Sequence, residues 1–378
     1  MALSRRDLFR AAPAAALPLF VGRVCAADPP FPGMTVRMQE PTNLEYPISS
    51  LRSWLTPNEQ FYVRCHFAAP KLDPANWKLT VEGEVENRVE LTLADLRALP
   101  AVTRPVTLEC AGNNRGFLVP PGRGVPWGPG AVSNAEWTGV PLSAILDKAK
   151  VKAGAVEVVL VGADRGTVAE SPGAIHFDRS LPLAKARKPE VLLAYKMNGA
   201  DLPALHGAPV RAVVGGWYGV ASVKWLTKLI VTAKPHTGFW QTIDYSYFRR
   251  VNGLPEVVPV TTMQPKAAIA RPALHEVVPA GKPYTMTGVA WTGEEKLAKV
   301  EVSADGGKTW ETATLTGKDE PFCWRLWEYT WKVPAAAGTA KLLARATAAD
   351  GTTQPEKHDP DRRAYMINYL VPVEVLIR

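Results

Sequence analysis

Cys110 lies in the run Leu108-Glu109-Cys110-Ala111-Gly112-Asn113-Asn114-Arg115-Gly116, where an apolar segment gives way to small residues and an arginine follows five positions on. Small neighbours let a bulky group approach the backbone, and a nearby positive charge favours the thiolate, the form that binds metals and attacks electrophiles. Two other chemistries are open to such a residue. A cysteine hydrolase needs a paired base; His66 or His206 could serve, though no spacing ties either to Cys110. A zinc site calls for C-x-x-C or H-x-x-x-H spacing, and the four cysteines and six histidines show neither. Taken singly, a buried structural cysteine is the plain alternative.

Such a thiol needs elements to hold it. Residues 103–109 read as a strand running into the Gly/Asn/Pro-rich loop 111–130. After Trp77, residues 78–85 alternate as a half-buried strand does. Thr92 with Asp95, ahead of Leu96 and Leu99, predicts a short capped helix ending at Pro100. Residues 141–149 read as a second helix and 156–161 as a buried strand, while 192–195 and 210–214 are strands joined by a loop around Gly199 and His206. Residues 28–60 are Pro-rich and irregular. The mixture predicts an α+β domain over 28–260. Beyond about residue 262, segments 284–291, 298–303, 309–315, 324–333 and 340–348 are strands of similar length, with Asp305-Gly306-Gly307 as a hairpin turn. Even spacing without helical period predicts an all-β, Ig-like sandwich over 261–378.

Composition narrows the function classes. The chain has 378 residues, 47% hydrophobic and 21% charged, which suits two or three domains and excludes disorder. No apolar run reaches the roughly 18 residues of a membrane helix. Of the net charge of +8, residues 1–27 hold +3 (Arg5, Arg6, Arg10 and Arg23 against Asp7), leaving +5. The remaining cations are scattered rather than striped, so no nucleic acid is expected; a small anion or an acidic protein suits them better. Residues 1–27 have a charged start, an apolar middle and a small-residue exit, and Arg5-Arg6-Asp7-Leu8-Phe9 resembles a twin-arginine export signal. Folded export to the periplasm is the expectation, and with it a cofactor inserted beforehand. Cys25 leaves with the leader, so Cys65, Cys110 and Cys323 leave at least one thiol free or metal-bound, unless chains pair.

Glu109-Cys110-Ala111-Gly112-Asn113-Asn114-Arg115 resembles the molybdenum-cysteine motif C-A-G-N-x-R of the sulfite oxidase family. Other blocks follow in that family's order. Phe61-Tyr62-Val63-Arg64-Cys65-His66 is similar to its F-V-R-N-H segment, and Trp137-Thr138-Gly139-Val140-Pro141-Leu142 to its W-x-G-x-x-L block. His206 through Arg211, with Val223-Lys224-Trp225-Leu226, resembles the cofactor-phosphate region; Trp240 through Tyr245 resembles the active-site tyrosine segment. Asp305-Gly306-Gly307-Lys308-Thr309-Trp310 and Trp324-Arg325-Leu326-Trp327 resemble parts of its C-terminal Ig-like domain.

The resemblance implies a sulfite-oxidase-type molybdopterin-binding domain, a dimerisation domain of Ig-like form, and oxidation of sulfite to sulfate at a Mo-molybdopterin cofactor. It implies that Cys110 binds molybdenum and that Arg64, Arg115 and Arg325 meet to hold the sulfite dianion; the planar, permanently charged guanidinium matches an oxyanion. Tyr245 is implied as a hydrogen-bond donor and Trp137 as a pocket wall. Cofactor contacts are implied for Tyr62, Val63, Arg64, Cys65, His66, Asp164, His206, Arg211, Ser222, Val223 and Lys224, with Val63 and Val223 able to offer only backbone.

Cys65 stands where the family usually has Asn, Ser222 where animal members have His, and residues 358–369 depart from its W-N-x-x-G-Y pattern. No H-P-G-G haem loop and no C-x-x-C-H occur. The implied electron acceptor is therefore a separate c-type cytochrome, with monomer and homodimer both open. The nearest rival is a sulfane dehydrogenase acting on carrier-bound sulfur. A nitrate reductase would carry fused haem and flavin domains, and a periplasmic methionine-sulfoxide reductase would lack the Ig-like domain. From other classes, a non-catalytic binding protein on the same scaffold would hold no molybdenum, and a cysteine hydrolase would need none.

Overall fold

The computed structural model describes residues 33–378; the leader read in residues 1–27 lies outside them. Five strands make the sheet that carries Cys110. Val102–Glu109 pairs antiparallel with Val132–Pro141, which pairs with Val191–Met197, and the latter also takes Ala200–Asp201 and Arg211–Val214. Helix Leu142–Ala149 covers this sheet by burying Leu142, Ile145, Leu146 and Ala149, an i, i+3, i+4, i+7 stripe.

A second sheet runs Val89–Thr92, Lys78–Gly83, Leu226–Thr232, Glu157–Gly166, Ile175–Pro182. Lys78–Gly83 buries Leu79 and Val81 and exposes its ends, as alternation requires. Thr92 and Asp95 form the expected capping box at the head of helix Leu93–Arg97. Residues expected to be irregular before position 60 instead hold two paired strands, Thr35–Met38 and Asn43–Glu45, and the second also pairs with Val63–Arg64. Proline lowers strand propensity locally, but the Cys65 backbone is held by Asn43, whose Oδ1 accepts its N–H at 3.1 Å.

In the stretch where the pattern changes from one domain to the next, Ser246–Val251 and Leu254–Pro259 form a hairpin that the sequence reading does not name. Its turn is Asn252-Gly253, both at positive φ (51° and 80°), the backbone a two-residue hairpin requires. Beyond it, two sheets pack face to face. One has the order Lys266–Arg271, Pro283–Trp291, Arg325–Lys332, Thr314–Thr316; the other runs Val277–Val278, Val373–Ile377, Gly338–Ala348, Leu297–Ser303, Glu311–Thr312. Met286, Ala290, Trp327 and Trp331 from the first meet Val300, Val302, Leu342, Ala346 and Val375 from the second. The single strand expected over 309–315 is two short ones, because Asp305 accepts hydrogen bonds from the N–H groups of Lys308 and Thr309 and curls that stretch into a turn. The architecture is the expected one: an α+β unit with few helices, followed by a β sandwich.

Candidate functional site

Strand Val102–Glu109 ends at the rim of a cavity, and Cys110 is the first residue past it. A tight turn holds the residue: its N–H donates to the Ala131 carbonyl at 2.8 Å, and its carbonyl accepts from Asn113 N–H at 2.8 Å. The chain then reverses through Asn114, at φ 76°, so that Arg115 folds back over Gly112. A Cβ on residue 112 would collide with the Arg115 guanidinium, which is why the motif needs glycine there. Arg115 is buried; it donates from Nε to the Ala364 carbonyl (3.0 Å) and from a terminal nitrogen to the Val125 carbonyl (3.1 Å), and stacks over Tyr365.

The inner cavity encloses about 610 Å³ free of protein atoms, open mouth included. Tyr62, Arg64, His66, Cys110, Asp164, His206, Arg211, Ser222, Lys224 and Tyr245 line it, with Phe61, Phe177, Leu205 and Val220 among the apolar groups. Its cations are anchored by carbonyl oxygens and one sulfur. Arg211 donates to the carbonyls of His206 (3.0 Å) and Ser222 (3.1 Å), and Lys224 to the Leu205 carbonyl (2.8 Å) and the Cys65 sulfur (3.3 Å). Among the described residues, none of Arg64, Arg115, Arg211 and Lys224, all buried or half-buried, is ion-paired with a carboxylate within 4.0 Å, and neither is the exposed Arg363. Buried cations without carboxylates demand an anion from elsewhere.

Burial sets the protonation states. His206 is pushed down to about 3 by burial, with Lys224 and Arg211 adding to the effect, so its ring is neutral. His66 lies well below the ordinary histidine value for the same first reason, followed by Arg64 and Lys224. Burial lowers Arg211 to about 10 and raises Tyr245 to about 12, the latter with the Cys110 sulfur opposing ionisation too. Asp164 is raised to about 6 by burial, against the pull of Lys224, and its Oδ1 has no hydrogen-bond partner.

A second, outer cavity shares Arg64, His66 and Tyr245 with the first and opens to the surface between Arg115, Arg123, Trp240, Asp244, Arg363 and Tyr365. Tyr245 follows the one-turn helix Trp240–Asp244, which wraps wide and swings the phenol inward. Its hydroxyl lies 2.6 Å from His66 Nε2, and its ring packs 4.8 Å from Tyr365. His66 is itself stacked on Phe177 at 4.3 Å, so the pair is held on both sides.

Most expected residues converge, but five do not line either cavity: Arg325, Trp137, Val63, Cys65 and Val223. Arg325 is not in either cavity: it opens strand Arg325–Lys332, pairs across to Ala290, and forms an ion pair with Asp319 at 2.9 Å. The third arginine beside Arg64 and Arg115 is Arg363, which donates to the Ile243 carbonyl at 3.0 Å. Its signal was the Arg362-Arg363 doublet inside the departing segment 358–369. Trp137 lies behind the cavity rather than in its wall; it is fully buried, donates to the Val106 carbonyl at 3.2 Å and supports the Arg211 guanidinium 4.9 Å from its ring centre. Val63, Cys65 and Val223 also sit behind the lining. Val63 pairs with Leu44 in a strand, and the Val223 carbonyl accepts from Ala212 N–H. Cys65, Cys110 and Cys323 are all free thiols.

These groups fit a pterin-held molybdenum. Cys110 offers the soft sulfur such a metal takes from protein, the cations of the inner cavity suit a phosphate, and the unpartnered Asp164 oxygen calls for ring N–H donors.

Comparison with known proteins agrees. Residues 66–240 match the family model for the oxidoreductase molybdopterin binding domain, and 258–376 that for the Mo-co oxidoreductase dimerisation domain. The chain is 37% identical over 365 residues to the sulfite oxidase of Gallus gallus, covering 89% of this chain and 76% of that one. It is 35% identical to the mitochondrial sulfite oxidase of Homo sapiens, covering 88% of this chain and 64% of the human one, just under two thirds. With the nitrate reductase of Hordeum vulgare it shares 33% identity over 84% of this chain and 39% of that enzyme. Among solved structures, the sulfane dehydrogenase SoxCD of Paracoccus pantotrophus superposes with a TM-score of 0.76 at 29% identity, over 88% of this chain and 83% of the other.

Proposed function

The chain belongs to the sulfite oxidase family of molybdenum-cofactor oxidoreductases, and from that premise we propose that it oxidises sulfite to sulfate and passes two electrons, one at a time, to a separate c-type cytochrome. The overall change is sulfite plus water to sulfate, two protons and two electrons. One observation carries the reading: Arg64, Arg115 and Arg363 line an open cavity, unpaired with carboxylates, directly outside the one that holds Cys110.

The cofactor supplies oxygen-atom transfer and the electron sink, and the protein supplies position and charge. Arg211 and Lys224 would hold its phosphate end, Asp164 and Tyr62 its polar ring groups, and Cys110 its metal, while the neutral His206, whose Nε2–H is given to the Asn58 carbonyl at 3.0 Å, would offer only an acceptor nitrogen. Arg64, Arg115 and Arg363 draw in the dianion and fix its oxygens. Tyr245, raised to about 12 first by burial, keeps its proton near neutral pH and is placed to donate a hydrogen bond to a substrate oxygen. His66, neutral and 2.6 Å away, fixes the direction of that phenol. The leader motif supports export of the folded enzyme to the periplasm.

The superposition on SoxCD favours a second reading, oxidation of a carrier-bound sulfane sulfur through the same mouth. Protein matured in a molybdenum-replete host is expected to contain the metal and to reduce cytochrome c on addition of sulfite. Activity only with a sulfane-bearing carrier would replace the first reading by the second. Cys110→Ser is expected to keep the native circular dichroism and lose turnover to background; an unaltered rate would defeat the site assignment.

A further inference from the structure

Behind Cys110 lies a buried ion pair that the reaction above does not use. Glu109, 1% exposed, ends the strand Val102–Glu109 and turns its carboxylate away from the cavity. Lys266, 2% exposed, reaches it from the sandwich, with Nζ donating to Glu109 Oε1 at 2.9 Å. Trp291 Nε1 donates to the other oxygen at 2.8 Å. Lys266 and Trp291 are a cross-strand pair of the sandwich's first two strands, so one register delivers both donors to one carboxylate. The same carboxylate takes Asn113 Nδ2 at 3.1 Å, and Lys266 donates again to the Asn113 carbonyl at 3.3 Å. Asn113 closes the circuit: its Oδ1 accepts from Ala131 N–H at 3.0 Å, and the Ala131 carbonyl receives the Cys110 N–H. Every group that fixes the Cys110 backbone thus leads, within two hydrogen bonds, to the Glu109–Lys266 pair.

We propose that Glu109, Lys266 and Trp291 are positioning residues for the Cys110 sulfur, through which the sandwich both fixes the turn that carries the thiolate and balances the charge behind it. The inference rests on Cys110 as the molybdenum ligand. A surface ion pair would do neither, because water would screen it; at this burial an unbalanced charge behind the sulfur is screened less than it would be at the surface. The two partners act with opposite sign. Removing the carboxylate leaves an ammonium near the sulfur, which withdraws electron density from the metal and makes it easier to reduce. Removing the ammonium leaves a carboxylate and does the reverse.

The test is a redox titration of the molybdenum-loaded enzyme, with metal content and thermal midpoint measured alongside. Glu109→Gln is expected to shift the metal's midpoint potential upward, Lys266→Met to shift it downward, and the double variant to return close to the wild-type value. Glu109→Gln is nearly isosteric but keeps one acceptor oxygen for the donors of Lys266, Asn113 and Trp291, so its thermal midpoint is read beside its potential; it and the charge-neutral double variant carry the test even where Lys266→Met fails to fold. Loaded variants whose potentials stay put while stability changes, or whose potentials all move in one direction, overturn the inference and leave a structural clamp. Wild-type protein that takes up no molybdenum in a competent host overturns the ligand assignment itself, a separate failure.

Discussion

Asp164 shows what the cavity asks of a single side chain. Its carboxyl is 3% exposed, has an unpartnered oxygen, and is raised from 3.8 to about 6, first by burial. Because the folded value lies above the unfolded one, the native state holds this proton more tightly. That contribution is complete below about pH 4 and is lost as pH rises through 6, a change of about 3 kcal/mol in the cofactor-free protein. His206 works the other way: its folded value of about 3 lies below the ordinary 6.5, so its contribution is present above pH 6.5 and is lost as pH falls toward 3. The two opposing profiles are separated by a difference curve. Asp164→Asn is expected to match wild-type apoprotein near pH 4 and to exceed its stability by about 3 kcal/mol at pH 7.5, measured by denaturant unfolding. A difference that stays flat from pH 4 to 8 would show that the carboxyl is solvated or satisfied. Molybdopterin binding is expected to abolish the difference, because ring donors then satisfy the anion.

At the level of elements, two short turns do what the sheets cannot. The turn from Cys110 to Arg115 brings thiol and guanidinium to neighbouring cavities only because Gly112 has no side chain. Gly112→Ala is expected to displace the Arg115 guanidinium and raise KM for sulfite about 10- to 100-fold, the range of a lost hydrogen bond to a charged group. Metal content should be unchanged, since Cys110 and its backbone partners stay in place; a wild-type KM would mean that Arg115 does not touch substrate. The wide turn Trp240–Asp244 aims Tyr245 inward in a comparable way. The Cys110 turn was legible as a motif because its glycine and arginine are adjacent in sequence. The hairpin Ser246–Val251 with Leu254–Pro259 carried its own local sign in Asn252-Gly253. Its strands did not stand out, since most of their residues are exposed and show no one-sided alternation.

Across the whole molecule, the sandwich and the α+β unit share a core. Trp324 is fully buried; its indole N–H donates to the Trp54 carbonyl at 2.8 Å, and Trp54 donates back to the Trp324 carbonyl at 3.1 Å. The Trp324 N–H also donates to Thr107 Oγ1 at 2.8 Å, on the strand that delivers Cys110. Lys185, bridging Glu190 at 2.8 Å and Glu294 at 2.6 Å, is a second lock. Trp324→Ala is expected to lower stability by about 3–5 kcal/mol in denaturant unfolding, as deletion of a buried indole does. A loss under about 1 kcal/mol would mean that the seam relaxes around the gap and is not held by this residue.

Read alone, the amino-acid order determined the strand-rich class, the capped helix, the change of pattern near residue 262 and the blocks that mark a molybdenum enzyme. All of these rest on periodicity or on residues a few positions apart, which local sterics and hydrogen bonding govern. What only tertiary structure decided is which distant groups share a cavity. Arg325 and Arg363 are equivalent as residue types, yet an ion pair with Asp319 holds one away from the cavities, while the backbone carbonyl of Ile243 holds the other at the mouth. Trp137 moved from wall to support, and Asp164 gained its unsatisfied oxygen, for the same reason: burial and pairing are properties of the packed chain, set by neighbours many tens of residues away.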